Sequence, residues 1–217
     1  MRDTNFFITS KYRGEMLPYE RYKLYSYVKE YKPKCVLEIG CGDGGGSTYY
    51  ILSTMVENNN GSELYTCDPS RGPSSEMKNE FFTTLKYYPT TSNVLISNML
   101  NSNVIPDFIF FDGPEIPQIA LDDINLLEDK LKVGTILSMH DWHTDTPRGY
   151  DNAISIKPQL IKPYLYGSDK WELVEELSGV VKNKKDDGVF FPHNVESFGE
   201  GGLKYDSVGL VFFKKIK

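Results

Sequence analysis

Val36-Leu37-Glu38-Ile39 runs into Gly40-Cys41-Gly42-Asp43-Gly44-Gly45-Gly46 and then into Ser47-Thr48-Tyr49-Tyr50-Ile51. The first four residues read as a buried strand and the last five as the start of a helix, joined by a turn that is nearly all glycine. Glycine removes the Cβ atoms that hold a ligand off the backbone, and it permits positive φ where the chain doubles back. The helix that follows offers unpaired N–H groups. Such a joint suits a nucleotide-like cofactor. Gly40-Cys41-Gly42-Asp43-Gly44-Gly45 also satisfies GxGxxG, the dinucleotide-binding fingerprint, so the motif alone admits a nicotinamide-dependent oxidoreductase. Glu38 stands on the strand itself, where a buried carboxylate needs a partner; it reads either as an anchor for the loop or as a cofactor contact.

Around this joint the chain alternates strands and helices. Residues 17–31 carry Leu17, Leu24, Tyr25, Val28 and Tyr31 at near-helical spacing, interrupted by Arg21, and Pro33 ends the run. Residues 46–57 read as the helix after the glycines, stopped by Asn58-Asn59-Asn60-Gly61, and 63–67 as the next strand, closed by Asp68-Pro69. The segment 74–88 reads as helical, 93–96 as a short strand, 107–111 as an apolar strand closed by Asp112-Gly113-Pro114, 117–131 as a helix and 133–139 as a strand leaving through His140-Asp141-Trp142-His143. Pro158 and Pro163 make a helix over 153–166 start late, kink or split. Residues 171–177 and 207–215 read as an antiparallel pair of strands separated by the polar stretch 182–206, which holds His193 and is long enough to cover a site or an interface. The predicted fold is α/β, Rossmann-like and doubly wound: a mostly parallel sheet with an antiparallel C-terminal strand. Residues 1–33 are expected to form an N-terminal helical segment, a substrate lid or an interface, ahead of one domain over 34–217.

Composition narrows the partners. At 217 residues, 40% hydrophobic and 25% charged, the chain supports one core. Its net charge of -6 argues against nonspecific nucleic-acid binding, which needs clustered Lys and Arg. No run approaches the roughly 18 to 20 apolar residues that span a bilayer, and no signal peptide stands at the amino terminus, so the expected setting is cytoplasmic and away from membranes. Cys35, Cys41 and Cys67 form no CxxC pair and read as small buried thiols. Asp122-Asp123, on a predicted helix, reads as a solvated face.

Glu38-Ile39-Gly40-Cys41-Gly42-Asp43-Gly44 resembles the E/DxGxGxG cofactor motif of the class I S-adenosylmethionine-dependent methyltransferases, and the likeness extends from about residue 34 to residue 215 through Asp68, Asp112-Gly113 and the ending Gly209-Leu210-Val211-Phe212-Phe213. The resemblance implies a seven-stranded sheet whose last strand inserts antiparallel. It also implies S-adenosylmethionine as cofactor, with Gly40, Gly42 and Gly44 beside its methionine part and Asp68 accepting its ribose hydroxyls. Asn98 would lie by the adenine and Asp112 near the methionine amine.

The second cluster, Asp112 with His140, Asp141 and His143, falls at strand ends that a parallel sheet brings to one edge. There the chain is similar to the metal-dependent small-molecule O-methyltransferases of the sugar and catechol types and to the cephalosporin-hydroxylase-like group. In those families an aspartate after the fourth strand joins an acidic pair, or Asp-Asn, after the fifth to hold Mg²⁺ beside the acceptor. Here Asp112 and Asp141 match, whereas the remaining partner is His140. The resemblance therefore implies methyl transfer to a small-molecule hydroxyl, with Mg²⁺ or another divalent metal on Asp112, Asp141 and His140 as one reading. The other makes His143, or else His140, the general base beside Asp141. A noncatalytic cofactor-binding protein on the same fold stays open, as does a homo-oligomer.

Overall fold

The computed structural model describes residues 2–9, 11–12, 14, 16–114, 116–142, 157–181, 185–186, 189–190 and 206–217. Two helices come first, α1 (Thr4–Ile8) and α2 (Pro18–Tyr31). Then follow β1 (Cys35–Ile39), α3 (Thr48–Asn58), β2 (Glu63–Cys67), α4 (Ser75–Glu80), β3 (Leu85–Tyr88), α5 (Ser92–Asn101), β4 (Phe108–Phe111), α6 (Pro117–Glu128) and β5 (Ile136–His140). The chain closes with α7 (Pro158–Gly167), β6 (Trp171–Val181), the short pair β7 (Lys185–Asp186) and β8 (Val189–Phe190), and β9 (Asp206–Lys215).

Seven strands form one sheet in the order β3-β2-β1-β4-β5-β9-β6. The first five are parallel, and β9 inserts antiparallel between β5 and β6. This is the doubly wound sheet expected, with the antiparallel C-terminal strand in place. Two core clusters, one for each face, are separated by the alternation of the strands. Val36, Phe108, Phe110, Ile136 and Phe212 join the cluster of α2 and α3, while Leu37, Ile39, Ile109, Phe111, Leu137, Met139 and Phe213 join that of α5, α6 and α7. The parity of each strand thereby decides where its polar residues point. Glu38 and His140 fall on the α2 and α3 side, and Asp112 continues the parity of Phe108 and Phe110.

Two sequence expectations fail between residues 74 and 101. The helix expected over 74–88 stops at Glu80, and Leu85-Lys86-Tyr87-Tyr88 is β3, pairing with β2 through Leu64↔Leu85 and Thr66↔Tyr87. The strand expected over 93–96 is the first part of α5, where Leu95, Ile96 and Met99 face the core at helical spacing. A short apolar run carries no period of its own, and the Thr91-Ser92 start favours the helix. Helix α7 starts late, at Pro158, and keeps Pro163 inside. Of the 182–206 stretch, only the β7 and β8 pairing is described; His193 lies outside the described residues.

The N-terminal segment is built into the core. Phe7, Tyr19, Tyr22, Leu24, Tyr25 and Val28 belong to the same cluster as Val36 and Tyr50. Arg21, the interruption in the apolar face of α2, is buried and donates from Nη1 to the Phe7 carbonyl at 3.0 Å and from Nη2 to the Gly14 carbonyl at 3.4 Å. It thereby staples the preceding segment onto α2. Gly14 in turn lies on the glycine turn, for a Cβ there would sit 1.9 Å from the Gly46 nitrogen. Gly14→Ala is therefore expected to unseat this segment and lower stability by about 1 to 3 kcal/mol, measured by urea unfolding, with faster proteolytic cleavage before Pro18.

Candidate active site

Glu38 organises the glycine turn from beneath. Its register partner across the parallel ladder is Thr66, whose hydroxyl donates to Oε2 at 2.7 Å. Ser47 and Thr48, where α3 begins, donate to Oε1 at 2.6 Å and Oε2 at 2.8 Å. One fully buried carboxylate thus ties β1, β2 and the start of α3 together through hydroxyls. Burial lifts its pKa to about 7, more than the three hydroxyls lower it. Glu38 therefore anchors the cradle and offers no exposed surface to a ligand.

The turn itself is shaped by three positive-φ glycines, Gly40 at 85°, Gly42 at 50° and Gly44 at 89°. A Cβ on Gly40 would lie 2.0 Å from the Asp112 carbonyl oxygen, so this position brings β1 hard against the loop after β4. Gly42 faces nothing nearer than the Arg71 guanidinium, 3.8 Å from such a Cβ, and is the position where a ligand has room to reach the backbone. Asp68 follows β2 directly and meets the turn: Oδ2 accepts the Gly42 N–H at 3.0 Å, while Oδ1 accepts those of Ser70 and Arg71, both at 2.9 Å. From β3, the Tyr87 hydroxyl donates to the Arg71 carbonyl at 2.8 Å and holds this loop. The turn and the carboxylate expected at the ribose are thus one bonded unit. Asn98 does not join them on the expected footing: it is an exposed residue inside α5, not the residue after a strand.

The second cluster forms where β4 and β5 end. His140 Nδ1 lies 3.2 Å from Asp112 Oδ1 and 3.6 Å from Asp141 Oδ1, and its Nε2 lies 3.1 Å from Glu20 Oε2. Burial alone would pull the imidazole pKa down, but the charges of Asp112, Glu20 and Asp141 push it well above its ordinary value. Both ring nitrogens of His140 thus face carboxylates, which favours its protonated form. Glu20, near the start of α2, also accepts the Leu17 N–H and, through Oε1, the Gly209 N–H, both at 2.9 Å. Burial would raise its pKa, yet His140 and these two donors hold it below the usual carboxylate range. Asp141 sits at φ 57°, a left-handed conformation rare outside glycine. His143 lies outside the described residues.

Lys157, immediately before α7, completes the cluster. It is fully buried, with Nζ 3.5 Å from Asp112 Oδ1 and 3.7 Å from Asp141 Oδ2. Asp112, His140 and Asp141 present ligand atoms within 4.8 Å of one another, the spacing of a metal site. The occupants of that space do not fit one. An ammonium already bridges the two carboxylates, and its repulsion of a divalent ion at roughly 4 Å is about 8 kcal/mol for an effective dielectric of about 20.

Glu20 and Lys157 escaped sequence reasoning. Glu20 reads there as a first-turn glutamate on a helix, and nothing local says that it reaches the sheet edge. Lys157 precedes Pro158 as any lysine before a helix would. Asp123 reverses its expectation, being buried at 2% exposure, with its pKa raised to about 6 by burial. Two of the cysteines follow theirs, Cys41 and Cys67 being buried, while Cys35 is half-buried; burial raises the thiol pKa of Cys35 and Cys67 to about 12.

Two outcomes check this account. Because Glu38 binds its proton more tightly folded than unfolded, its contribution becomes less favourable as pH rises from 4.5 to about 7 and is constant above. Glu38→Gln should remove that slope, worth about 3 kcal/mol, from chemical-denaturation stability measured against pH. His140→Leu strands Glu20 in the interior and should lower stability by about 3 to 5 kcal/mol in urea unfolding.

A methyltransferase-domain family profile matches residues 37–142, from β1 to just beyond β5. No curated protein matches the sequence. Among solved structures, the chain is similar to the O-methyltransferase from Bacillus cereus in complex with SAH, at 12% identity and a TM-score of 0.63 over 93% of this chain and 82% of that one. It is similar to the Streptomyces achromogenes O-methyltransferase of tomaymycin synthesis in complex with SAM, at 11% identity and a TM-score of 0.65 over 94% and 82%. A third is the SAH-bound methyltransferase from Podospora anserina, at 15% identity and a TM-score of 0.57 over 94% and 80%. At such identities the likeness is one of fold. The order of its sheet is that of the Rossmann-like methyltransferase fold, and the methyltransferase-domain match spans β1 to β5 of that sheet.

Proposed function

We propose that the protein transfers the methyl group of S-adenosylmethionine to a hydroxyl of a small molecule. The observation that carries this reading is the bonded unit of turn and carboxylate: Gly42, open to a ligand, with its N–H on Asp68, beside a charged cluster at the neighbouring strand ends. S-adenosylmethionine held there supplies an electrophilic sulfonium methyl, whose C–S electron pair stays on sulfur as the acceptor oxygen forms the new C–O bond. Gly40, Gly42 and Gly44 would line its methionine part and Asp68 its ribose. The bound cofactors named for two structures of like fold, SAM and SAH, support the same donor.

On the acceptor side, the protein has to receive a hydroxyl proton. With both nitrogens of His140 facing carboxylates, that task is assigned to His143, the base read from the sequence, or to the carboxylate of Asp141 at the end of β5. Asp112, between His140 and Lys157, keeps the opposite wall of the cluster in place. Strand order also separates this reading from a nicotinamide enzyme, since the antiparallel β9 belongs to the methyltransferase sheet.

Calorimetry of the purified, cofactor-free protein with S-adenosylhomocysteine tests the donor site, and the absence of measurable binding would falsify the reading. With a hydroxyl-bearing acceptor in hand, Asp141→Asn should reduce kcat by about 100-fold or more while S-adenosylhomocysteine affinity stays within about twofold, followed by release of the demethylated product.

A further inference from the structure

We propose that Lys157 is the site's built-in cation: its ammonium occupies the place between Asp112 and Asp141 that a divalent metal would take, and it positions both carboxylates without one. Three observations carry this. Lys157 is fully buried, and a lysine is seldom buried without a charge partner. Its Nζ lies within 4 Å of an oxygen on each aspartate, 3.5 Å for Asp112 and 3.7 Å for Asp141. The imidazole nitrogen that would be the third ligand, His140 Nδ1, lies 3.2 Å from Asp112 Oδ1 and so meets that carboxylate directly. A metal entering here would have to displace the ammonium from Asp112 and Asp141 and part His140 Nδ1 from Asp112.

The chemistry of the exchange is limited but specific. An ammonium is a compact point charge with three donors, enough to fix two carboxylates. It lacks the open coordination positions with which Mg²⁺ or Mn²⁺ would take both oxygens of a vicinal diol. The site therefore favours acceptors with one reacting hydroxyl, recognised by the pocket walls, over catechol-like acceptors that depend on chelation. Lys157 acts as a positioning residue, holding Asp112 and Asp141. This inference rests on the proposed methyl transfer only in treating the cluster as the acceptor side.

Its test needs neither donor nor acceptor, so its failure is distinguishable from failure of the methyltransferase reading. Mn²⁺ binding to the full chain is followed by electron paramagnetic resonance and calorimetry. The wild-type protein is expected to hold no Mn²⁺ that depends on Asp112 or Asp141. Lys157→Met keeps the aliphatic stem and removes the charge; it should gain a Mn²⁺ site at least tenfold tighter than any in the wild type, lost again when Asp112→Asn is added. Lys157→Arg, which retains the charge, should gain none. If Lys157→Met does not fold, Lys157→Gln serves in its place. Wild-type Mn²⁺ binding abolished by Asp112→Asn or Asp141→Asn overturns the proposal, and so does a folded Lys157→Met or Lys157→Gln that takes up no Mn²⁺.

Discussion

The imidazolium of His140, set between Glu20 and Asp112, is the contact on which the site's arrangement depends. It joins the N-terminal helix to the ends of two central strands, and Glu20 extends the link to β9 through the Gly209 N–H. Buried charges of this kind contribute little to net stability compared with an apolar replacement, because desolvation offsets most of the attraction. What they impose is geometry. A carboxylate with both oxygens engaged and an imidazolium with both nitrogens engaged leave few alternative packings, and removing either one exposes the whole cost of the other.

A parallel logic runs through Glu38, at lower charge. Its three hydroxyl partners come from β2 and from the start of α3, so the glycine turn is stretched between two fixed points. The glycines provide the freedom to make the turn, and the carboxylate removes the freedom to leave it. Conformational latitude in the sequence is thus spent on one shape, which lowers the ordering cost that a cofactor would otherwise meet on binding.

Much of this was legible in advance, for a reason that differs from element to element. The glycine turn, Asp68 at the end of β2 and Asp112 and His140 at the edge announce themselves because each sits at a strand end, and strand ends in a parallel sheet converge. The failures concern contacts that cross the chain. Asn98 followed from reading 93–96 as a strand, when three apolar residues in a row cannot distinguish strand from helix. The partner of His140 Nε2, Glu20, lies 120 residues away, and no local pattern announced it. Of the carboxylates around that histidine only Asp141 is its neighbour in sequence, and Lys157 could be found only by asking what neutralises Asp112 and Asp141.

The packing of Gly14 against Gly45 and Gly46 means that the glycine run serves two clients at once. Gly42 within it is open to a ligand, while its last glycines receive the amino-terminal segment of the chain itself. Where the homologous stretch begins, at residue 37, is consequently not where the folding unit begins. A chain shortened to that boundary would keep the cofactor motif letter for letter, yet lose the backbone that rests on one side of it and the Glu20 carboxylate that sets the charge on the other. Recognition by sequence and self-sufficiency in folding are separate properties here, divided by the 36 residues before the match that any transplant of the motif would have to carry along.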